Sequence, residues 1–227
     1  MKFQSKITKE ELNKMPVAAF TGKIFVIDKD KSVKKVIEEL SAHSIVGIDT
    51  ETKPSFAKGV NYKIALLQVA TDTDCYLFRL NKIKSKTDGL IFKFLADENI
   101  MKVGISLKDD FLRLHRINDV KPANVVDLQS IAKQYGILEL GLQKMFAIVF
   151  GQKISKSQQL TNWENITLTP AQQLYAATDA WATLQIYKRL KQEKPLPQKV
   201  VEAMLAKTLA EQQELSRQNS QKNQNNE

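Results

Sequence analysis

Apolar residues recur at helical spacing from Ser32 to Ala42, as Val33, Val36, Ile37 and Leu40, and predict an amphipathic helix. The next apolar run, Ile45 to Ile48, is continuous and leads into Asp49-Thr50-Glu51-Thr52-Lys53-Pro54, a buried strand stopped by the proline. Two β-rich runs follow, Tyr62 to Ala70 and Cys75 to Leu80, joined by the hairpin signal Thr71-Asp72-Thr73-Asp74. With residues 45–50 they predict an antiparallel meander, and the short run Ile24 to Ile27 predicts an edge strand. The pattern then alternates. Helices are expected over 89–95, 108–116 and 130–135, and strands over 102–105 and 125–128, which implies parallel crossovers.

From Leu138 onward the spacing predicts helices only. One spans Leu142 to Phe150 and ends at Gly151. A second opens at Thr169-Pro170-Ala171-Gln172, with Thr as N-cap, Pro at the first position and Gln at the third, and should run to Lys191. Thr8-Lys9-Glu10-Glu11 is a capping box for a short N-terminal helix. Residues 1–193 are read as one α/β domain with its core over 20–193, a mixed sheet with helices on both faces. Residues 194–227 are read as an appendage: a helix from Lys199 to Leu215, then a Gln/Asn-rich tail from Ser216 expected to lack regular structure.

Composition narrows the chemistry. The single cysteine, Cys75, excludes an internal disulfide and a cysteine-based zinc site. The N-terminus has no apolar leader and no stretch is long enough to span a membrane, so a soluble, cytoplasmic protein without a membrane partner is expected; the oligomeric state is not legible. Of the formal charge of +9, residues 191–227 contribute +1, which leaves +8 on the body. A basic body carrying clustered acids fits either a polyanion brought to metal ions or a generic soluble surface.

Asp49 and Glu51 leave the opening strand on one face, two residues apart. They are either solvated acids at a strand end or the first ligands of a divalent cation. Asp110 follows a predicted strand end and precedes Leu114 by one helical turn, beside the packed face. Its neighbour Asp109 already has a structural task, reciprocating a Ser106 cap three residues earlier, so Asp110 is the chemical candidate of the two. Tyr175 and Asp179 are one turn apart on the long helix, where Ala176, Ala177 and Ala180 permit close approach to another element. Together the four carboxylates suit two divalent cations about 4 Å apart, an arrangement for in-line displacement at phosphorus. Tyr175 would position the attacking water, since a phenol of pKa about 10 is a weak base at neutral pH.

These residues resemble the DEDD superfamily of 3′–5′ exonucleases. Asp49 and Glu51 match its D-x-E motif, Asp110 and Leu114 its second motif, and Tyr175 and Asp179 the Y-x(3)-D of its tyrosine branch. The histidine branch would carry a His where this chain has Leu174, and the only histidines are His43 and His115. The resemblance covers residues 20–193, and Leu66-Leu67-Gln68, Cys75 to Phe78 and Ile154 to Trp163 bring it nearer the Werner-type group than ribonuclease D.

The resemblance implies a ribonuclease-H-like three-layer α/β/α fold with a mixed five-stranded sheet. It implies release of nucleoside monophosphates from a nucleic-acid 3′ end by two divalent cations, Mg²⁺ or Mn²⁺, held by Asp49, Glu51, Asp110 and Asp179. In the resembling enzymes residues 151–163 border the substrate, which makes Lys156 a phosphate contact. Gln159 and Asn162 are hydrogen-bond candidates, and Phe56, near Lys53 and Ser55, is a stacking candidate. Trp163 is read as a core anchor ahead of a base-stacking group. A nucleic-acid-binding module without turnover is the alternative function. DNA and RNA are not distinguished.

Overall fold

The structure is a computed structural model and describes residues 2–55, 62–119 and 121–224. In chain order the elements are α1 (Lys9–Lys14), β1 (Lys23–Ile27), α2 (Asp30–Leu40), β2 (Ile45–Thr52), β3 (Ile64–Ala70), β4 (Asp74–Arg79), α3 (Ser85–Leu95), β5 (Met101–Gly104), α4 (Leu107–His115), β6 (Val125–Asp127), α5 (Leu128–Lys133), α6 (Leu142–Phe150), α7 (Pro170–Lys191) and α8 (Gln198–Gln224). The expected meander is present: β2, β3 and β4 pair antiparallel, with Thr71 N–H bonded to Asp74 O at 2.8 Å in the hairpin. β5 and β6 add in parallel on the β2 side.

Among the described residues the sheet has six strands, in the order β1-β4-β3-β2-β5-β6, the number of strand runs read from the sequence and one more than the resemblance implied. The sixth is β1, whose backbone pairs in parallel with β4 from Lys23/Asp74 to Ile27/Phe78. Ile27 reaches the core while Lys23 and Phe25 stay exposed, the alternation of a half-covered edge strand.

Alternate residues of the meander face two separate cores. Ile48, Leu67, Val69 and Phe78 join α2, α3 and α4 through Val33, Leu40, Phe92, Leu107 and Leu114. On the opposite face Leu66, Ala70 and Leu77 pack beneath Ala176, Ala177 and Ala180 of α7. Both faces of the sheet are therefore covered, which gives three α/β/α layers.

α7 starts as the sequence predicts. Thr169 Oγ1 accepts the Gln172 N–H at 3.2 Å, and the Gln172 side chain accepts the Thr169 N–H at 3.1 Å. The helix packs on β2 to β5 and against α5 and α6, so it is buried on several sides.

Two local expectations need correction. Ser106 makes no side-chain cap; its φ of 56° turns the chain left-handed into α4. The Leu107 N–H is taken instead by Asp127 Oδ2 at 3.0 Å, while Asp127 Oδ1 caps its own helix, α5, through Gln129 N–H at 2.8 Å. One carboxylate thus starts two helices. α8 continues to Gln224 where a structureless tail was expected from Ser216, because that run has no Gly or Pro and its Arg, Lys and Gln are serviceable helix formers.

Candidate active site

The C-terminal end of β2 is where the two helical layers meet. β2 carries Asp49 and Glu51, and α7 brings Asp179 and Tyr175 down from one face of the sheet. α4 belongs to the core on the other face and brings Asp110 to the same strand end. The approach of α7 depends on Gly47. A Cβ there would collide with the Ala180 carbonyl oxygen and lie 2.9 Å from Thr183 Oγ1. Thr183 in turn ties α7 to β5 through Val103 O at 3.0 Å.

Oxygen atoms of Asp49, Glu51 and Asp179 come within 4.8 Å of one another, a spacing suited to one shared cation. Asp110 stands just outside this trio, its Oδ1 accepting the Thr50 hydroxyl at 2.7 Å. Asp109, by contrast, is exposed.

The electrostatics are those of crowded acids. Burial first, then the charges of Asp179 and Asp110, push Asp49 well above the usual carboxylate range. Burial and then Asp49, Asp179 and Asp110 raise Glu51 to about 10. Burial raises Asp179 to about 7, against the opposing pull of its hydrogen bond with Tyr175 and of the Lys156 charge. Asp110 is raised by burial and eased by its bond from Thr50. Buried like charges without a neutralising partner are costly. The donor set, three converging carboxylates and a fourth beside them, therefore fits hard divalent cations.

The Tyr175 phenol is pushed up by burial, then by Asp179 and Glu51, so it stays protonated and acts as a hydrogen-bond donor. Its ring rests 5.9 Å from that of Trp163, which is fully buried, as the core-anchor reading expects.

A cleft of about 410 Å³ opens over these groups. Lys156 and Gln159 line it with Asp49, Glu51, Tyr175 and Asp179. Asn162 does not line it. Its Oδ1 accepts the Glu164 N–H at 3.0 Å in a local turn. Phe56 lies outside the described residues. The loop bearing Lys156 is fastened on both sides. Lys153 pairs with residues 16–18, and the buried Arg79 guanidinium donates to Asn165 O at 2.5 Å.

Thr50, Ser106, Gln129 and Gln143 also line the cleft and were not singled out from the sequence as site residues. Thr50 had a signal, its place between the two acids. Ser106 and Gln129 reach the cleft through the β2–β5–β6 strand order, and Gln143 through the packing of α6 on α7, which no local pattern reveals.

A sequence model for 3′–5′ exonucleases matches residues 24–194. The chain belongs to the 3′–5′ exonuclease family. It is 30% identical over 185 residues to the bifunctional 3′–5′ exonuclease/ATP-dependent helicase WRN of Mus musculus, covering 78% of this chain and 13% of that protein. It is 31% identical over 191 residues to a 3′–5′ exonuclease of Arabidopsis thaliana, covering 78% of this chain and 66% of the relative. The chain therefore spans less than two thirds of either relative. Among solved structures, the Nibbler EXO domain of Aedes aegypti superposes with a TM-score of 0.70 at 20% identity, over 83% of this chain and 100% of that one. Escherichia coli RNase D gives 0.67 at 23% identity, over 74% of this chain and 44% of that one. At those identities the likeness establishes the ribonuclease-H-like fold. This exonuclease family is divalent-metal dependent, in keeping with the acidic cluster.

Proposed function

We propose that this chain hydrolyses the terminal phosphodiester bond at the 3′ end of a nucleic acid and releases a nucleoside monophosphate. The observation that carries the reading is the convergence of Asp49, Glu51 and Asp179 within 4.8 Å, with Asp110 alongside and Tyr175 bonded to Asp179. Asp49, Glu51, Asp110 and Asp179 would hold two divalent cations, Mg²⁺ or Mn²⁺. Such ions supply an activated water and stabilise the departing oxygen at phosphorus.

The chain's own groups do the rest. Tyr175 keeps its proton and donates, so it orients the water or the scissile phosphate and does not act as a base. Thr50 fixes the Asp110 carboxylate on its side of the site. Lys156, on the cleft wall and felt by Asp179, meets a substrate phosphate; Gln159 beside it offers a hydrogen bond.

The substrate class is supported by the basic body and by fold relatives, among them a Trypanosoma brucei RNase D crystallised with RNA U12. The test is a 5′-labelled single strand, DNA and RNA in parallel, incubated with Mg²⁺ or Mn²⁺. A ladder shortening one nucleotide at a time, abolished by EDTA, is expected. Tight binding without product in either metal would instead identify a binding module.

A further inference from the structure

Gln68 and Asp49 are direct partners in the β2–β3 ladder. Their side chains therefore leave the same face of the sheet, with Cβ atoms about 5 Å apart. On that face Leu66 and Ala70 flank Gln68, and Leu77 pairs with it from β4. All three belong to the cluster under α7 that also holds Trp163, Tyr175 and Ala176. In this apolar setting Gln68 is fully buried, and among the described residues neither its Nε2 nor its Oε1 has a hydrogen-bond partner. Trp163 Nε1, equally buried, has none among them either. Buried polar atoms are seldom left this way in a native fold.

The unpaired atoms are chemically complementary. The indole offers one donor, and the amide offers one acceptor and a donor. The Asp49 carboxylate, which is eased by a bond from the Thr50 backbone, has oxygen lone pairs to accept more. We propose that Gln68 is a positioning residue for Asp49: in the cation-loaded site its amide N–H donates to the Asp49 carboxylate while its carbonyl accepts the Trp163 indole N–H. Carboxylates that ligate metals are ordinarily held by such outer hydrogen bonds. The arrangement gives the two sides of the cleft a common support, because Trp163 also packs on Tyr175. It assigns a purpose to the glutamine of Leu66-Leu67-Gln68, which has no role in packing that an apolar residue would not fill better.

This inference rests on reading Asp49 as a cation ligand. The test is Mn²⁺ binding to the full chain by titration calorimetry, with thermal melts of the cation-free protein. Gln68→Met keeps the volume and removes the amide. Its Mn²⁺ affinity should fall about 10- to 100-fold, while its cation-free melting temperature stays level or rises. Trp163→Phe should weaken Mn²⁺ binding in the same direction, and the double variant should lose less than the product of the two single losses, because the residues share one hydrogen-bonded chain. Mn²⁺ affinity within twofold of wild type in Gln68→Met would overturn the proposal, as would fully multiplicative losses. Should Gln68→Met fail to fold, Gln68→Asn keeps an amide that is one methylene too short and is read by the same outcomes. Asp49→Asn separates the two claims: wild-type Mn²⁺ affinity there removes the ligand reading itself.

Discussion

The backbone of Gly47 lies against the carbonyl of Ala180, leaving no room for a Cβ between β2 and α7. That contact sets how deeply α7 sits on the sheet, and so where Asp179 stands relative to Asp49 and Glu51.

Gly47→Ala should therefore damage both fold and site. The obstacle is backbone on a rigid helix, with Thr183 Oγ1 at 2.9 Å and Leu184 Cβ at 3.0 Å behind it, so no flexible side chain can yield. Overpacking of this kind costs about 1–3 kcal/mol, and for a chain of this size each kcal/mol lowers the melting temperature by about 2–4 °C. A thermal melt checks the loss, and kcat measured well below the new transition should fall as well because the carboxylates are spread. Wild-type stability and kcat would contradict the packing argument.

Stability without metal should fall as pH rises. Folding lifts Glu51 from 4.5 to about 10 and Asp179 from 3.8 to about 7. Between those limits the folded protein binds more protons than the unfolded chain, so its stability is greatest at the acid end and declines through the window. Divalent cations reverse the trend, since their ligands must be deprotonated. Melting temperatures in EDTA should drop from about pH 6 to about pH 9, and the gain on adding Mn²⁺ should grow over the same span. A gain that shrinks with pH would count against the cluster as the binding site.

Tyr175→Phe removes the hydroxyl bonded to Asp179 and keeps the ring packed on Trp163. The expected outcome is a loss of kcat of up to about 100-fold, the scale of a misplaced reacting group, with Mn²⁺ affinity nearly unchanged. The pH–rate profile should keep its shape, because the phenol stays protonated at neutral pH. Loss of a rise in rate with pH, the limb given by a group that acts when deprotonated, would make Tyr175 a proton acceptor after all.

Lys156→Ala should raise KM and reduce the slope of log affinity against log salt by about 1, the mark of one lost phosphate contact. Asn162→Ala serves as the control, since its side chain is engaged in the turn at Glu164; KM there should stay at the wild-type value. Equal effects of the two substitutions would remove the phosphate assignment.

What was legible in the chain follows from range. The meander, the start of α7 and the i, i+4 pair Tyr175/Asp179 depend on neighbours a few residues away, and periodicity exposes them. The alanines of α7 announced a close approach by size alone. Asp127 was not legible, because it caps α4 from twenty residues later in sequence. Nor was Arg79, whose guanidinium holds a loop 86 residues away. Ser106 misled because the capping pattern carries no information about a left-handed φ.

The central claim is that the carboxylates at the end of β2 perform hydrolysis from a 3′ end. Its most direct measurement follows a strand labelled on its 3′-terminal nucleotide, incubated with Mn²⁺ and wild-type, Asp49→Asn or Asp179→Asn protein. The account predicts that wild type releases the label first and wholly as a nucleoside monophosphate, and that both variants lose nearly all turnover while remaining folded. Release of the label within longer oligonucleotides, or equal turnover by Asp49→Asn, would contradict it.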